Sequence, residues 1–458
     1  MATRAFDVIV IGAGPAGEVA AGRLAEAGLD VALVERELVG GECSFYACMP
    51  SKGLLRPGQA IAEARRIPGA AEAITGELDV AATFARRDEI VHDLDDGEQL
   101  PWIESRDITL VRGHGRLTGE RTLEVGDEAL EARKAVMIAT GTTALIPPVP
   151  GLAEAQPWTN RHATTGHDVP RRLLVLGGGP VGCEMAQAYR SFGAEVAIVD
   201  AAEHLLGREE AYAGQELRDA FTESGIEVHT GVKATAVSRD GDVVTLELDD
   251  GTTLEGDQLL CALGRKPLTD DLGLETIGLE SGGTIPVGDD LRVPGHDWLY
   301  VLGDVNGRIQ LTHMGKYQAR IAADRILGIE RTLESDGARS PRVTFTEPQI
   351  AAVGYTLAGA QEAGLDAFCV EAETSGNAGG SFFGRGVAGT TRLVIERGSN
   401  RILGCTLVGA DVADFLHTAT VAITGAMTMD RFWHAVPAFP TRSEVWLNLI
   451  EAWERELR

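Results

Sequence analysis

The residues best equipped for chemistry are two cysteines in the run Gly41-Glu42-Cys43-Ser44-Phe45-Tyr46-Ala47-Cys48-Met49-Pro50-Ser51-Lys52. A close thiol pair can staple a fold, hold half of a metal site, or exchange electrons. The Cys-x4-Cys spacing is about one and a third helical turns, and it brings both sulfurs within bonding distance if the helix start is distorted. A zinc half-site usually has closer spacing and a second ligand pair. Here Cys183, Cys261, Cys369 and Cys405 are scattered and read as small core residues, and no metal site is expected. No export signal precedes the pair, so a reducing, cytoplasmic setting is expected, which disfavours a structural staple. A redox dithiol remains, with Lys52 near enough to favour a thiolate.

The elements that must position this pair follow from a motif that occurs twice. Val8 to Ile11 leads into Gly12-Ala13-Gly14-Pro15-Ala16-Gly17, a helical pattern, and a second apolar run ending at Glu35. Leu173 to Leu176 leads into Gly177-Gly178-Gly179-Pro180-Val181-Gly182, a helical pattern, and a run ending at Asp200. Each acid stands 18 residues after the last glycine of its copy, close to the expected spacing of about 20. The first glycine makes a tight turn, the second admits a pyrophosphate, and the third lets helix pack on strand. Glu35 and Asp200 are placed to accept hydrogen bonds from ribose hydroxyls, so two dinucleotide sites are expected.

Breaks in pattern divide the chain. A first dinucleotide unit spans 1–150 and closes after Ala139-Thr140-Gly141 with Pro147, Pro148 and Pro150. A second spans 151–268 and ends near Gly264-Arg265-Lys266-Pro267. Residues 269–340 contain the strand Leu299–Leu302 ending at Gly303-Asp304, and 341–458 read as an α+β domain with a helix from about Asp411 to Thr424. The fold class is α/β: two Rossmann-like dinucleotide-binding domains plus a C-terminal α+β domain. A net charge of −27 argues against nucleic acid and anionic membranes as partners. No stretch of about 18 apolar residues suggests a membrane span.

Together these motifs resemble the class I pyridine nucleotide-disulfide oxidoreductases, the family of dihydrolipoyl dehydrogenase, glutathione reductase and mercuric reductase. The resemblance covers nearly the whole chain, including the Phe345-Thr346-Glu347-Pro348 opening of the last domain. It implies FAD on Gly12, Gly14, Gly17, Glu35, Arg36 and Gly41, then Lys52, Thr140, Gly141, Gly303, Asp304 and Thr312, with adenine near Gly115. It implies the nicotinamide nucleotide on Gly177, Gly179, Gly182, Asp200, Gly264 and Arg265. Cys48 would be the flavin-facing thiolate, Cys43 the exposed interchange thiol, and Lys52 with Glu184 an ion pair beside the flavin. Residues 1–150 and 269–340 would be FAD domain, 151–268 nucleotide domain, and 341–458 the interface of a homodimer. A carboxylate at Asp200 suits a free 2′-hydroxyl, and the next residues, Ala201 to His204, include no arginine, so NADH is expected over NADPH, with Arg208 the residue able to change this.

The chain departs from the family at one catalytic position. Most disulfide-reducing members carry His-Pro-Thr-x-x-Glu, in which the histidine protonates the leaving thiol. Here the stretch is Phe439-Pro440-Thr441-Arg442-Ser443-Glu444, and phenylalanine transfers no proton. His434 is the nearest alternative, although a helix-end histidine is its simpler reading. Mercuric reductase uses a C-terminal cysteine pair, and no cysteine follows Cys405. The leading expectation is an enzyme passing electrons from NADH to Cys43–Cys48 and on to a small acceptor other than an ordinary disulfide. An alternative is thioether cleavage like that of 2-ketopropyl-coenzyme M carboxylase, which also has Phe there and shares Ala47-Cys48-x-Pro50, but pairs its Phe with a downstream His where this chain has Glu444. A third reading is a non-enzymatic redox sensor.

Overall fold

The run Phe6–Ile11 is almost continuously apolar, the pattern of a strand covered on both faces. In a computed structural model, which describes residues 3–387 and 389–458, it belongs to a strand Thr3–Ile11 inside a largely parallel sheet. The chain divides into two compact units. One comprises Met1–Pro50, Arg86–Leu145 and Gly264–Gly337; the other comprises Ser51–Ala85, Ile146–Leu263 and Ala338–Arg458.

In the first unit the sheet order is Arg292–Val293, His296–Val301, Glu128–Ile138, Thr3–Ile11, Val31–Glu35, Thr109–Arg112. The pairs from His296–Val301 onward are parallel. Side chains of Thr3–Ile11 alternate between two cores. Val8 and Val10 pack with Leu24, Ala319 and Ala322 of the helices Pro15–Glu26 and Thr312–Ile326. Ile9 and Ile11 pack with Leu117, Leu123 and Leu299. Burying each such aliphatic side chain contributes about 1.5–3 kcal/mol, which fixes which face each helix covers.

The second unit contains a four-stranded parallel sheet ordered Ile226–Thr230, Glu195–Asp200, Arg172–Leu176, Gln258–Cys261. It also contains a five-stranded antiparallel sheet ordered Arg342–Thr344, Gln349–Gly354, Ile402–Gly409, Thr390–Glu396, Ala367–Glu373. The helix Val445–Glu456 buries Trp446, Leu449, Ile450 and Trp453 in the core that also holds Leu407. The helix expected from Asp411 begins only at Leu416. Asp411 has φ 48°, a left-handed conformation that does not start a right-handed helix. Among the described residues no helix is long and apolar enough to cross a membrane.

Candidate active site

Each glycine turn is dictated in part by the protein and in part by something it must receive. Gly12 has φ +102°, and a Cβ there would lie 2.5 Å from the Ala139 carbonyl oxygen. A Cβ on Gly17 would collide with the Gly12 carbonyl. Gly177 and Gly182 repeat this pattern: a Cβ on Gly177 would lie 2.5 Å from the Ala262 carbonyl, and one on Gly182 would collide with the Gly177 carbonyl. Gly14 and Gly179 differ, because nothing lies within 4 Å of a Cβ at either position and both have ordinary negative φ. Packing does not require glycine at these N-caps. A phosphate approaching the free N–H groups of the following helix does, so both turns fit dinucleotides.

The acids that end the second strands clamp the turns. Glu35 is buried, and its two carboxylate oxygens accept from the Ala13 and Glu37 N–H groups, each at 2.7 Å. Asp200 accepts from Gly178 N–H at 2.5 Å and from Ala202 N–H at 2.8 Å. Both therefore organise the backbone of their turns. In the first unit Gly12, Glu35, Arg36, Gly115 and Thr140 line a cavity of about 190 Å³ together with His114 and Asp271. Thr140 and Gly141 sit where the strand Glu128–Ile138 ends, and the Thr140 hydroxyl donates to the Leu268 carbonyl at 3.0 Å.

Asp304 stands in the turn Gly303–Asn306 and accepts from the Thr142 hydroxyl at 2.8 Å. Burial pushes its carboxyl above the ordinary range, against the pull of Thr142 and Arg265. Arg265 donates to the Thr142 hydroxyl at 2.7 Å and pairs with Glu42 at 3.2 Å. Arg265 thus joins Asp304 in the first unit, whereas Gly177, Gly179, Gly182 and Asp200 lie in the second. Gly264, at φ +123°, begins the segment that carries Arg265.

The cysteines sit on two helices rather than one distorted start. Gly41–Phe45 is a single short helix that breaks at Tyr46, φ −132°, and Cys48 opens the helix Cys48–Arg66. A Cβ on Gly41 would approach the Gly14 Cα at 2.9 Å, so the cysteine segment lies directly on the first glycine turn. The hydroxyl of Thr312 stands 3.2 Å from Cys43 Sγ and 3.4 Å from Cys48 Sγ. The Cys43 thiol is pushed far up, first by its hydrogen bond to Cys48, then by burial and the charge on Cys48; Thr312 and Lys316 oppose this. Cys48, at a helix N-terminus one turn before Lys52, is the sulfur that position favours as thiolate.

In the second unit Lys52 Nζ meets Glu184 Oε2 at 2.7 Å. Glu184 is not a solvated helix residue: it is buried, and its other oxygen accepts from Phe345 N–H at 3.0 Å. Lys52 Nζ also lies 4.7 Å from the centroid of the Phe345 ring, a cation–π contact. Phe439 is 77% exposed, and Glu444 Oε2 is buried with no hydrogen-bond partner among the described residues. His434 packs edge-on to Trp433 at 5.0 Å and lines a cavity of about 500 Å³ with Asp430, Trp453 and Glu454. Cys183, Cys261 and Cys405 are buried, with thiols pushed up chiefly by burial.

Sequence reasoning did not single out Thr142, Glu42, Glu18 or Lys316. Glu42 beside Cys43 and Thr142 beside Gly141 were visible as polar neighbours of motif residues. Glu18 and Lys316 carry no motif; they stand on the helices Pro15–Glu26 and Thr312–Ile326, which approach each other where Gly315 meets Ala16.

The family described as "Pyridine nucleotide-disulphide oxidoreductase" matches residues 6–319, and its dimerisation domain matches 340–450. Dihydrolipoyl dehydrogenase of Chlamydia muridarum is 31% identical over 456 residues, covering 96% of this chain and 95% of that protein. The Bacillus subtilis dihydrolipoyl dehydrogenase is 31% identical, covering 97% and 96%. Mercuric reductase of Staphylococcus aureus is 29% identical, covering 96% and 81%. Among solved structures, LpdA of Mycobacterium tuberculosis has a TM-score of 0.85 at 24% identity, covering all of both chains. The Cu(II) complex of the HOCl-induced flavoprotein disulfide reductase RclA from Escherichia coli has a TM-score of 0.86 at 24% identity, covering 98% and 99%.

Proposed function

We propose, from the premise that this chain belongs to the pyridine nucleotide-disulphide oxidoreductase family, that it takes its electrons from NADH and delivers them through Cys43–Cys48 to a small acceptor that needs no protonated leaving thiol. The chain is an FAD-dependent disulfide oxidoreductase that uses NAD(P)H. FAD, when bound, supplies the two-electron connection between nicotinamide and disulfide. Its fit is supported by the open cradle at Gly14 and the buried Asp304 carboxyl.

One observation carries the reading: two sulfurs five positions apart share a single hydroxyl, that of Thr312, beside the first glycine turn. In net form, NADH and the closed disulfide give NAD⁺, one thiol and one thiolate. Position favours Cys48 as the thiolate, which leaves the proton and the outward exchange to Cys43. Lys52 and Glu184 hold each other in a fixed geometry, so the positive charge stays near the helix that begins at Cys48. The Asp200 carboxylate favours a free 2′-hydroxyl and repels a 2′-phosphate, which supports NADH.

The acceptor class follows from Phe439. Reducing an ordinary disulfide expels a thiolate that wants a proton, and an exposed phenyl ring at this position supplies none. Activated disulfides, quinones and metal ions have no such need at that step. Turnover with NADH across these acceptors, and across unactivated disulfides, tests the proposal. Full-rate turnover of the best acceptor by a Cys43→Ser variant would exclude the dithiol route.

A further inference from the structure

A helix of one turn does not hold its own shape in water. Gly41–Phe45, which carries Cys43, has no side-chain cap: its N-cap is Gly40 at φ +109°, and it breaks at Tyr46. What fixes Cys43 must therefore come from the rest of the first unit. Phe45 is buried at one end of the helix, and Gly41 rests on Gly14 at the other. Between them stands Glu42, the residue before Cys43, whose carboxylate meets Arg265 Nη2 at 3.2 Å.

Arg265 is itself held firmly. Its strand, Arg265–Pro267, pairs with Thr142–Ala144. Its Nε donates to the Thr142 hydroxyl at 2.7 Å, and its Nη2 to the Thr142 carbonyl at 2.8 Å. The buried Thr142 hydroxyl in turn donates to Asp304 at 2.8 Å. One planar guanidinium thus ties the turn that carries Asp304 to the helix that carries Cys43, and all of these residues belong to the first unit. The Arg265 and Glu42 side chains are 20% and 21% exposed, so solvent screens their attraction only in part. A lysine would not replace this fork, because an ammonium is a point charge on a flexible stem.

We propose that Arg265 and Glu42 form a positioning pair that aims Cys43 at Cys48, and that Arg265 serves the cysteine helix rather than the nicotinamide nucleotide. This rests on the dithiol reading above. With the pair intact, both sulfurs stay within reach of the single Thr312 hydroxyl, at 3.2 and 3.4 Å. The effective concentration of one sulfur at the other is then high, which favours the closed disulfide. Without the pair the short helix is free to turn, the sulfurs meet less often, and the disulfide is easier to reduce.

The test is the equilibrium of the holoenzyme with dithiothreitol. The protein disulfide and reduced dithiothreitol become the protein dithiol and the cyclic dithiothreitol disulfide. One S–S bond breaks in the protein, one forms in the reagent, and two electrons and two protons move to the protein. Free thiols are trapped by alkylation and located by mass spectrometry. Glu42→Gln and Arg265→Met should each move this equilibrium toward the dithiol about tenfold, a potential about 30 mV higher. Arg265→Lys should fall between wild type and Arg265→Met. Glu42→Gln combined with Arg265→Met should do no more than either alone, because both break one contact. The dissociation constant of NAD⁺, by fluorescence quenching, should stay within about twofold of wild type in every variant.

An equilibrium unmoved by Glu42→Gln overturns the proposal, as does a double variant shifted about 100-fold. Weaker NAD⁺ binding in Arg265→Met without a change in the disulfide would return Arg265 to the nucleotide and also overturn it. If Arg265→Met fails to retain flavin, Glu42→Gln decides alone. A wild-type protein that forms no Cys43–Cys48 disulfide sinks the dithiol reading itself, whereas a normal disulfide indifferent to both substitutions sinks only the pair.

Discussion

Replacing Phe439 by histidine should convert the protein into a reductase of ordinary disulfides. The side chain is 77% exposed, so the exchange removes little buried area and should cost under about 0.5 kcal/mol. Five residues on, Glu444 Oε2 is buried and has no hydrogen-bond partner among the described residues. An imidazole N–H reaching that oxygen makes a hydrogen bond to a charged group, worth about 1.5–3 kcal/mol. The partner raises the imidazole pKa above its free value of about 6.5, so the added stability is full below about 6.5 and is lost as pH rises through the folded-state pKa. General acid–base catalysis at one proton transfer is worth about 10²–10⁴ in rate. The assay compares NADH-driven reduction of an unactivated cyclic disulfide with that of an aromatic disulfide whose leaving thiolate needs no proton. The first should gain at least about 100-fold while the second stays nearly unchanged. Equal changes in both rates, or a melting temperature difference from wild type that does not shrink between pH 6 and pH 9, would refute the reasoning.

Other substitutions isolate other parts of the machinery. Gly14→Ala meets nothing within 4 Å, so the flavin-free protein should unfold within about 0.5 kcal/mol of wild type while FAD affinity, by fluorescence quenching, falls at least about 100-fold. Gly17→Ala collides with the Gly12 carbonyl and should prevent folding in circular dichroism. Lys52→Met strands the buried Glu184 carboxylate; because Lys52 is 36% exposed, the loss in chemical denaturation should be about 2 kcal/mol rather than the 3–5 of a fully buried pair, and no measurable loss would contradict the burial argument. Asp200→Ser should lower the NADH to NADPH ratio of kcat/KM about tenfold or more by removing the charge that repels a 2′-phosphate; an unchanged ratio would assign the preference elsewhere.

What the sequence determined by itself is whatever has a local steric or periodic cause. The turns at Gly12–Gly17 and Gly177–Gly182 were legible because a strand, a tight turn and a helix impose glycine at fixed offsets. The ends of the second strands were legible as Glu35 and Asp200 for the same reason. The cysteine pair was legible by spacing, but its geometry was not: the chain breaks at Tyr46 and restarts at Cys48. The tertiary structure alone decided the partners. Thr312 is 269 residues from Cys43, Glu184 is 132 from Lys52, and Asp304 is 162 from Thr142. Such pairs leave no periodic trace, because the choice of partner is made by the packing of helices and strands that are adjacent only after folding.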